Sequence, residues 1–203
     1  MKRIITLLFA LAALAATVAA QASPIVYTGT VAMTGSMGGT PFTGASLTFT
    51  TTADTDNISF ISGLYVNTGI TTVQSTAFGT TTLSGGTYGA FSGDGAAIGG
   101  GGFTLTGFLN LTGGPFFMTG ESLSPPYDLS TSYSVTSTNA EPFMSYPRTF
   151  STTDLGNLII SSTTGNATFT ATSLSTPEPS TYALLCLSLG VVGYARKRMN
   201  KAA

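Results

Sequence analysis

Between Ser23 and Thr176 apolar and polar residues alternate. Ile25, Tyr27, Val31 and Met33 share one parity, and Thr28 and Thr30 take the other. Leu47 and Phe49 alternate with Thr48 and Thr50. Phe103, Leu105, Leu109 and Leu111 alternate with Thr104, Thr106 and Asn110, and Phe169 sits between Thr168 and Thr170. Side chains along a strand point to opposite faces in turn, so this period of two predicts strands with one apolar and one Thr-rich face. Further strands are expected at Leu64 to Val73, Thr80 to Leu83, Ser132 to Val135 and Leu158 to Ile160. Turn signals fall between them at Gly35 to Pro41, Asp54 to Asn57, Gly85-Gly86, Gly93 to Gly102, Gly113-Gly114-Pro115, Pro125-Pro126 and Thr164-Gly165-Asn166. No stretch of this region keeps a 3.6-residue period. Short strands with Gly-rich turns predict an all-β domain, an antiparallel β-sandwich (jelly-roll-like) or barrel. Gly120 to Thr149, with several prolines, reads as a long connection across the top of the domain.

The two ends follow a different pattern. Lys2 and Arg3 precede an apolar run from Ile4 to Ala19, which ends in Ala20-Gln21-Ala22. A basic start, a short apolar core and an A-x-A site predict a signal peptide over residues 1–22, cut before Ser23. That implies the Sec export machinery and signal peptidase as partners. At the other end Pro177-Glu178-Pro179 is followed by an apolar run from Tyr182 to Tyr194 and then by Arg196-Lys197-Arg198. As a helix this run would span about 20 Å, against roughly 30 Å of hydrocarbon, which is short for a permanent anchor. The basic cluster favours the cytoplasmic side and puts everything before Pro177 outside. Pro177 and Pro179 keep the tripeptide extended, as a processing protease requires.

This C-terminal layout resembles the PEP-CTERM sorting signal of Gram-negative bacteria, which is handled by membrane proteases called exosortases. The resemblance covers Pro177 to Arg198. It implies a sorting segment over 177–203, with a transmembrane helix at about 182–195 and a basic tail at 196–203. It further implies an exosortase-like protease as partner and a transient stay at the inner membrane, with the domain on the periplasmic side, before transfer to the cell surface or beyond. The stretch from Pro41 to Phe49, followed by Thr52-Ala53-Asp54-Thr55, is similar to domains found upstream of such signals and implies no activity.

The remaining domain, 23–176, has about 150 residues, the usual size of one domain. It holds seven acidic residues and one basic residue, Arg148, for a net charge of −6. No basic patch exists for nucleic acid. Charged residues are 7% of the whole chain, against about 25% in ordinary soluble domains. With Thr, Phe, Tyr and Val abundant, the low charge points to β-structure and not to disorder.

Candidate chemistry is sparse. The chain has no His and no Trp, its one Cys is Cys186 in the apolar run, and 23–176 has no Lys. A serine nucleophile would lack a base, and a His/Cys zinc site is excluded. Glu121, Asp128 and Glu141 could serve a carbohydrate-active enzyme if two of them faced each other, although solvated loop carboxylates are the commoner case. Asp54-Thr55-Asp56-Asn57 clusters oxygen ligands that could take Ca²⁺, but lacks the later Gly and Glu of an EF-hand loop, and an Asx turn explains it as well. Gly93 to Gly102 lacks the Lys-Ser/Thr ending of a phosphate loop. Asn57, Asn110 and Asn166 begin N-x-S/T sequons of the kind a Thr-rich chain produces by chance. Tyr65, Tyr88, Tyr127, Tyr133 and Tyr146 offer ring faces for sugars. The expectation is therefore a non-enzymatic surface or matrix protein, structural or adhesive, in contact with exopolysaccharide in a biofilm, without metal or cofactor.

Overall fold

The alternation is realised as strands. A computed structural model describes residues 23–94, 104–111, 114–121, 127–137 and 147–174. Among them are β1 (Pro24–Met37), β2 (Thr40–Asp54), β3 (Ile58–Ile61), β4 (Leu64–Thr68), β5 (Ile70–Ser75), β6 (Gly79–Ser84), β7 (Tyr88–Asp94), β8 (Thr104–Asn110), β9 (Gly114–Glu121), β10 (Tyr133–Ser137), β11 (Arg148–Thr152) and β12 (Asn157–Ser173). The helical content of the described residues is one 3-10 turn, Thr55–Asn57. All of them belong to one compact unit, Ser23–Leu174.

Two antiparallel sheets result. The first has the order β1-β2-β5-β6-β11-β12-β10, and β12 also pairs with β1. This sheet rolls closed where β11 bridges β6 and the start of β12, with Ser151 opposite both Ser84 and Asn157. The second sheet has the order β3-β4-β7-β8-β9. The expected all-β antiparallel architecture thus combines a rolled sheet with a second sheet packed on it.

The odd-numbered residues of β1 form the centre of the core. Ile25, Tyr27, Val31 and Met33 cluster with Leu47 and Phe49 of β2, Phe169 of β12, and Tyr88, Ala90 and Phe108 of the second sheet. Phe108 ties the layers together: its ring centroid lies 6.1 Å from that of Phe49 and 5.7 Å from that of Phe169. Burying each such ring contributes about 1.5–3 kcal/mol.

In the second sheet β4, β7 and β8 are buried on both faces, whereas β3 exposes Phe60 and Ile61. Leu64, Val66, Phe91 and Leu109 form a separate cluster on the side away from Ala90 and Phe108. This corrects the expectation for β8. Thr106 was placed on a polar face, yet it is buried, as is Phe108, and the register shifts between Phe108 and Leu109. Strands covered on both sides need not alternate.

Three boundaries also differ from expectation. Leu64 to Val73 is not one strand: β4 joins the second sheet and β5 the first, and the chain crosses at Gly69. A Cβ on Gly69 would lie 2.1 Å from the Thr52 carbonyl oxygen, so only glycine allows this crossing. Gly120 to Thr149 is not one long connection, because it contains β10, which pairs with β12 through Val135 and Phe169. Thr164-Gly165-Asn166 is not a turn between strands. It lies within β12, where the pairing jumps from Val31–Ala167 to Ala32–Thr164 and Gly165 takes φ 80°. A bulge bends a strand without ending it, and the sequence signal is the same for both.

Candidate functional site

The even-numbered residues of β1 point away from the core, and strand pairing extends their pattern across the sheet. Thr30 lies opposite Thr168 on one side and Thr48 on the other. The row continues to Thr136 of β10 and, in the other direction, to Gln74 of β5 and Thr80 of β6. Two residues along each strand runs a second row, Ser134, Thr170, Thr28, Thr50, Thr72 and Thr82. Neighbouring strands stand about 4.8 Å apart, and residues two apart along a strand about 6.8 Å, so the rows form a lattice of polar groups. Side chains in the middle are half-buried among one another, and Ser134, Thr136, Gln74 and Thr80 are exposed.

Hydroxyl contacts hold this face in order. The Thr30 and Thr48 Oγ1 atoms are 3.1 Å apart. Thr170 Oγ1 donates to the Thr28 carbonyl at 3.4 Å, and Thr72 Oγ1 to the Thr50 carbonyl at 3.5 Å. Neither row contains a charged residue. The Thr-rich faces of β1, β2 and β12 were legible in the sequence. The rows were not, because they depend on the register between strands.

Among the described residues no group of three or more His, Cys, Asp or Glu side chains could hold a metal ion. Asp54 caps the 3-10 turn, its Oδ1 accepting from the Asp56 backbone N at 3.4 Å. That contact has the form of an Asx turn. Asp128 is also a turn cap, accepting from Ser130 N at 3.0 Å and Ser130 Oγ at 2.7 Å. Glu121 ends β9, and Glu141 lies outside the described residues.

Beside Asp128 the chain is pinned by a buried relay. Leu129 is fully buried at φ 66°, a left-handed conformation that costs about 1–2 kcal/mol for a residue of this type. Its carbonyl accepts from Tyr27 OH at 2.6 Å, and Asn67 Nδ2 donates to the same hydroxyl oxygen at 2.8 Å. Burial pushes the Tyr27 hydroxyl up to about 12, opposed by the Asn67 hydrogen bond and assisted by the negative charge of Asp128. Tyr127 and Tyr133 stack nearby with centroids 4.4 Å apart and planes at 15°. Tyr127 donates to the Thr131 carbonyl, and its own ionisation is pushed upward, chiefly by burial.

The two ends of the domain lie side by side. Ile25 pairs with Ser173, and Leu174 N donates to the Pro24 carbonyl at 2.9 Å. The segments expected to be processed therefore leave from adjacent strands. Ala20 and Ala22 of the signal-peptidase site, Pro177, Glu178 and Pro179 of the sorting tripeptide, and Arg196, Lys197 and Arg198 of the basic anchor lie outside the described residues. So does the expected helix at 182–195, and among the described residues no helix is long and apolar enough to cross a membrane.

Neither curated proteins nor solved structures provide a match to the chain. Residues 175–198 match the PEP-CTERM protein-sorting motif, and on that motif the chain is consistent with a PEP-CTERM protein, exported and addressed to an exosortase.

Proposed function

We propose that this chain is a non-enzymatic surface or matrix protein whose Thr-rich sheet face contacts neutral exopolysaccharide. In this reading signal peptidase cuts before Ser23. The segment 182–195 then holds the chain at the inner membrane with its domain in the periplasm, and an exosortase-like protease cuts near Pro177-Glu178-Pro179. The released domain joins the extracellular matrix. The sorting motif at residues 175–198 carries the delivery half of the proposal. The uncharged rows through Thr28 and Thr30 support the contact half, since ordered hydroxyls on a rigid sheet can exchange hydrogen bonds with sugar hydroxyls at little entropic cost. The Tyr127–Tyr133 pair adds ring surface. The absence of His, Lys and Cys from 23–176 supports a role without turnover.

Two measurements test this. Intact-mass analysis of surface material should show a species beginning at Ser23 and lacking Arg196 to Ala203; a mature form that always keeps those residues rejects the delivery half. A glycan array, run beside an assay for new reducing ends, should show binding without turnover. Thr30→Val with Thr168→Val should keep the fold and lose that binding. Turnover abolished by Glu121→Gln or Asp128→Asn would establish a carbohydrate-active enzyme instead.

A further inference from the structure

We propose that the α-amino group created at Ser23 is captured by the turn at Asp54-Thr55-Asp56, locking the processed N-terminus onto the domain. The inference rests on the cut before Ser23 in the reading above. It starts from a reciprocal pair of contacts. Ser23 N donates to Thr55 Oγ1 at 3.0 Å, and Thr55 N donates to the Ser23 carbonyl at 3.1 Å. The next residue, Pro24, lies opposite Asp54 in the β1–β2 ladder, and its carbonyl accepts from Leu174 N. The residue at the cut is thus held by the turn that follows β2, and the residue beside it by Leu174 after β12, so it is not a loose tail.

Cleavage changes the chemistry of that nitrogen without moving it. In the uncut chain Ser23 N is an amide with one hydrogen. Hydrolysis of the Ala22–Ser23 bond adds the water's OH to the Ala22 carbonyl and its H to the Ser23 nitrogen, and the new carboxyl gives up its proton to the amine, leaving a carboxylate and an ammonium. One hydrogen stays on Thr55 Oγ1. Two new donors and a full positive charge then arrive at a turn whose carboxylates, Asp54 and Asp56, flank Thr55 in the chain. An ammonium beside carboxylates is favoured in its charged form, and charge-assisted hydrogen bonds are about twice as strong as neutral ones.

Among the described residues no cation on the neighbouring elements competes. β2 and the turn contribute Asp54 and Asp56, the end of β12 from Ala171 to Ser173 has no titratable group, and β4 contributes only Tyr65. Because 23–176 contains no Lys, this ammonium is the one primary amine of the released domain and, with Arg148, one of two cations set against seven acids. Removal of the leader thus adds a positive charge next to Asp54 and Asp56 in a domain that otherwise has only Arg148.

The test uses the processed protein recovered from the cell surface. N-terminal sequencing comes first, and a terminus other than Ser23 overturns both the cleavage reading and the capture. With Ser23 confirmed, acetylation by an N-hydroxysuccinimide ester is followed near pH 7.5 by mass spectrometry of the N-terminal peptide. An ordinary α-amino group titrates near about 8, and a shift of one unit leaves about tenfold less free amine. Labelling should be about tenfold slower in the folded wild type than in Asp54→Asn/Asp56→Asn. Asparagine caps turns as well as aspartate does, so the double variant should fold. Asp56→Asn alone, at an exposed position, serves if it does not. Equal rates in wild type and variant, with unchanged circular dichroism, overturn the capture and leave the cleavage reading standing.

Discussion

At Ser92 a single oxygen sets an expectation that sequence could not supply. Its hydroxyl is fully buried and, like Asn67 Oδ1, has no hydrogen-bond partner among the described residues. An unpaired buried polar group costs about 1–3 kcal/mol, so Ser92→Ala should leave stability unchanged or raise it in chemical denaturation. Tyr27→Phe should act in the opposite sense. It removes the hydroxyl that joins Leu129 to Asn67 and should lower stability by about 1–3 kcal/mol. The same hydroxyl predicts a pH dependence. Its pKa is raised on folding from 10.0 to about 12, so the stabilisation is complete below the unfolded value and is lost as pH rises through the interval between the two. An alkaline titration of the unfolding midpoint should show this decline, and Tyr27→Phe should flatten it. The apolar parity of Ile25, Tyr27 and Met33 was readable in the sequence. The partners of Tyr27 were not, because Asn67 and Leu129 are 40 and 102 residues away.

At the level of strands and turns the hairpins are the most local elements. Gly38 and Gly39 join β1 to β2 with φ 55° and 86°, and Ser62 and Gly63 join β3 to β4 with φ 52° and 85°. Positive φ at both central residues is the mark of a type I′ turn. Serine is a poor choice for the first position, so Ser62→Asn should raise the thermal midpoint, by about 0.5–1 kcal/mol in stability. The β1–β12 pairing is much less forgiving. A Cβ on Gly35 would fall 1.9 Å from the Ile159 carbonyl oxygen. Gly35→Ala should therefore cost about 3 kcal/mol or more, read by urea unfolding, because the backbones of β1 and β12 must separate there. Buried polar pairs between strands behave differently. Thr51 and Thr71 Oγ1 lie 2.6 Å apart across β2 and β5. Either single Thr→Val change should destabilise, and the double change should recover most of the loss. Strand cores such as Leu47 to Thr50 were plain from alternation. Gly69 and Gly165 were ambiguous, because glycine marks a crossing, a bulge or a turn with the same letter.

For the whole molecule, the processed domain 23–176 should give a β-dominated far-UV circular dichroism spectrum; a helix-rich one would contradict the two sheets. The sequence by itself determined the parts that depend on local chemistry. Alternation set the inward faces of β1, β2 and the end of β12 around Phe169, and the missing His, Lys and Cys limited the chemistry of 23–176. The order of tripeptide, apolar run and basic cluster specified the sorting segment, because such a signal is read as a short linear peptide. Tertiary structure decided everything that depends on register. It split Leu64 to Val73 between two sheets and buried both faces of β8. It lined the threonines of six strands into two rows and set Ser23 against Thr55, 32 positions along the chain. Pairing between strands far apart in sequence is fixed by the shared core and by where glycine lets backbones approach, and neither can be seen in a window of a few residues.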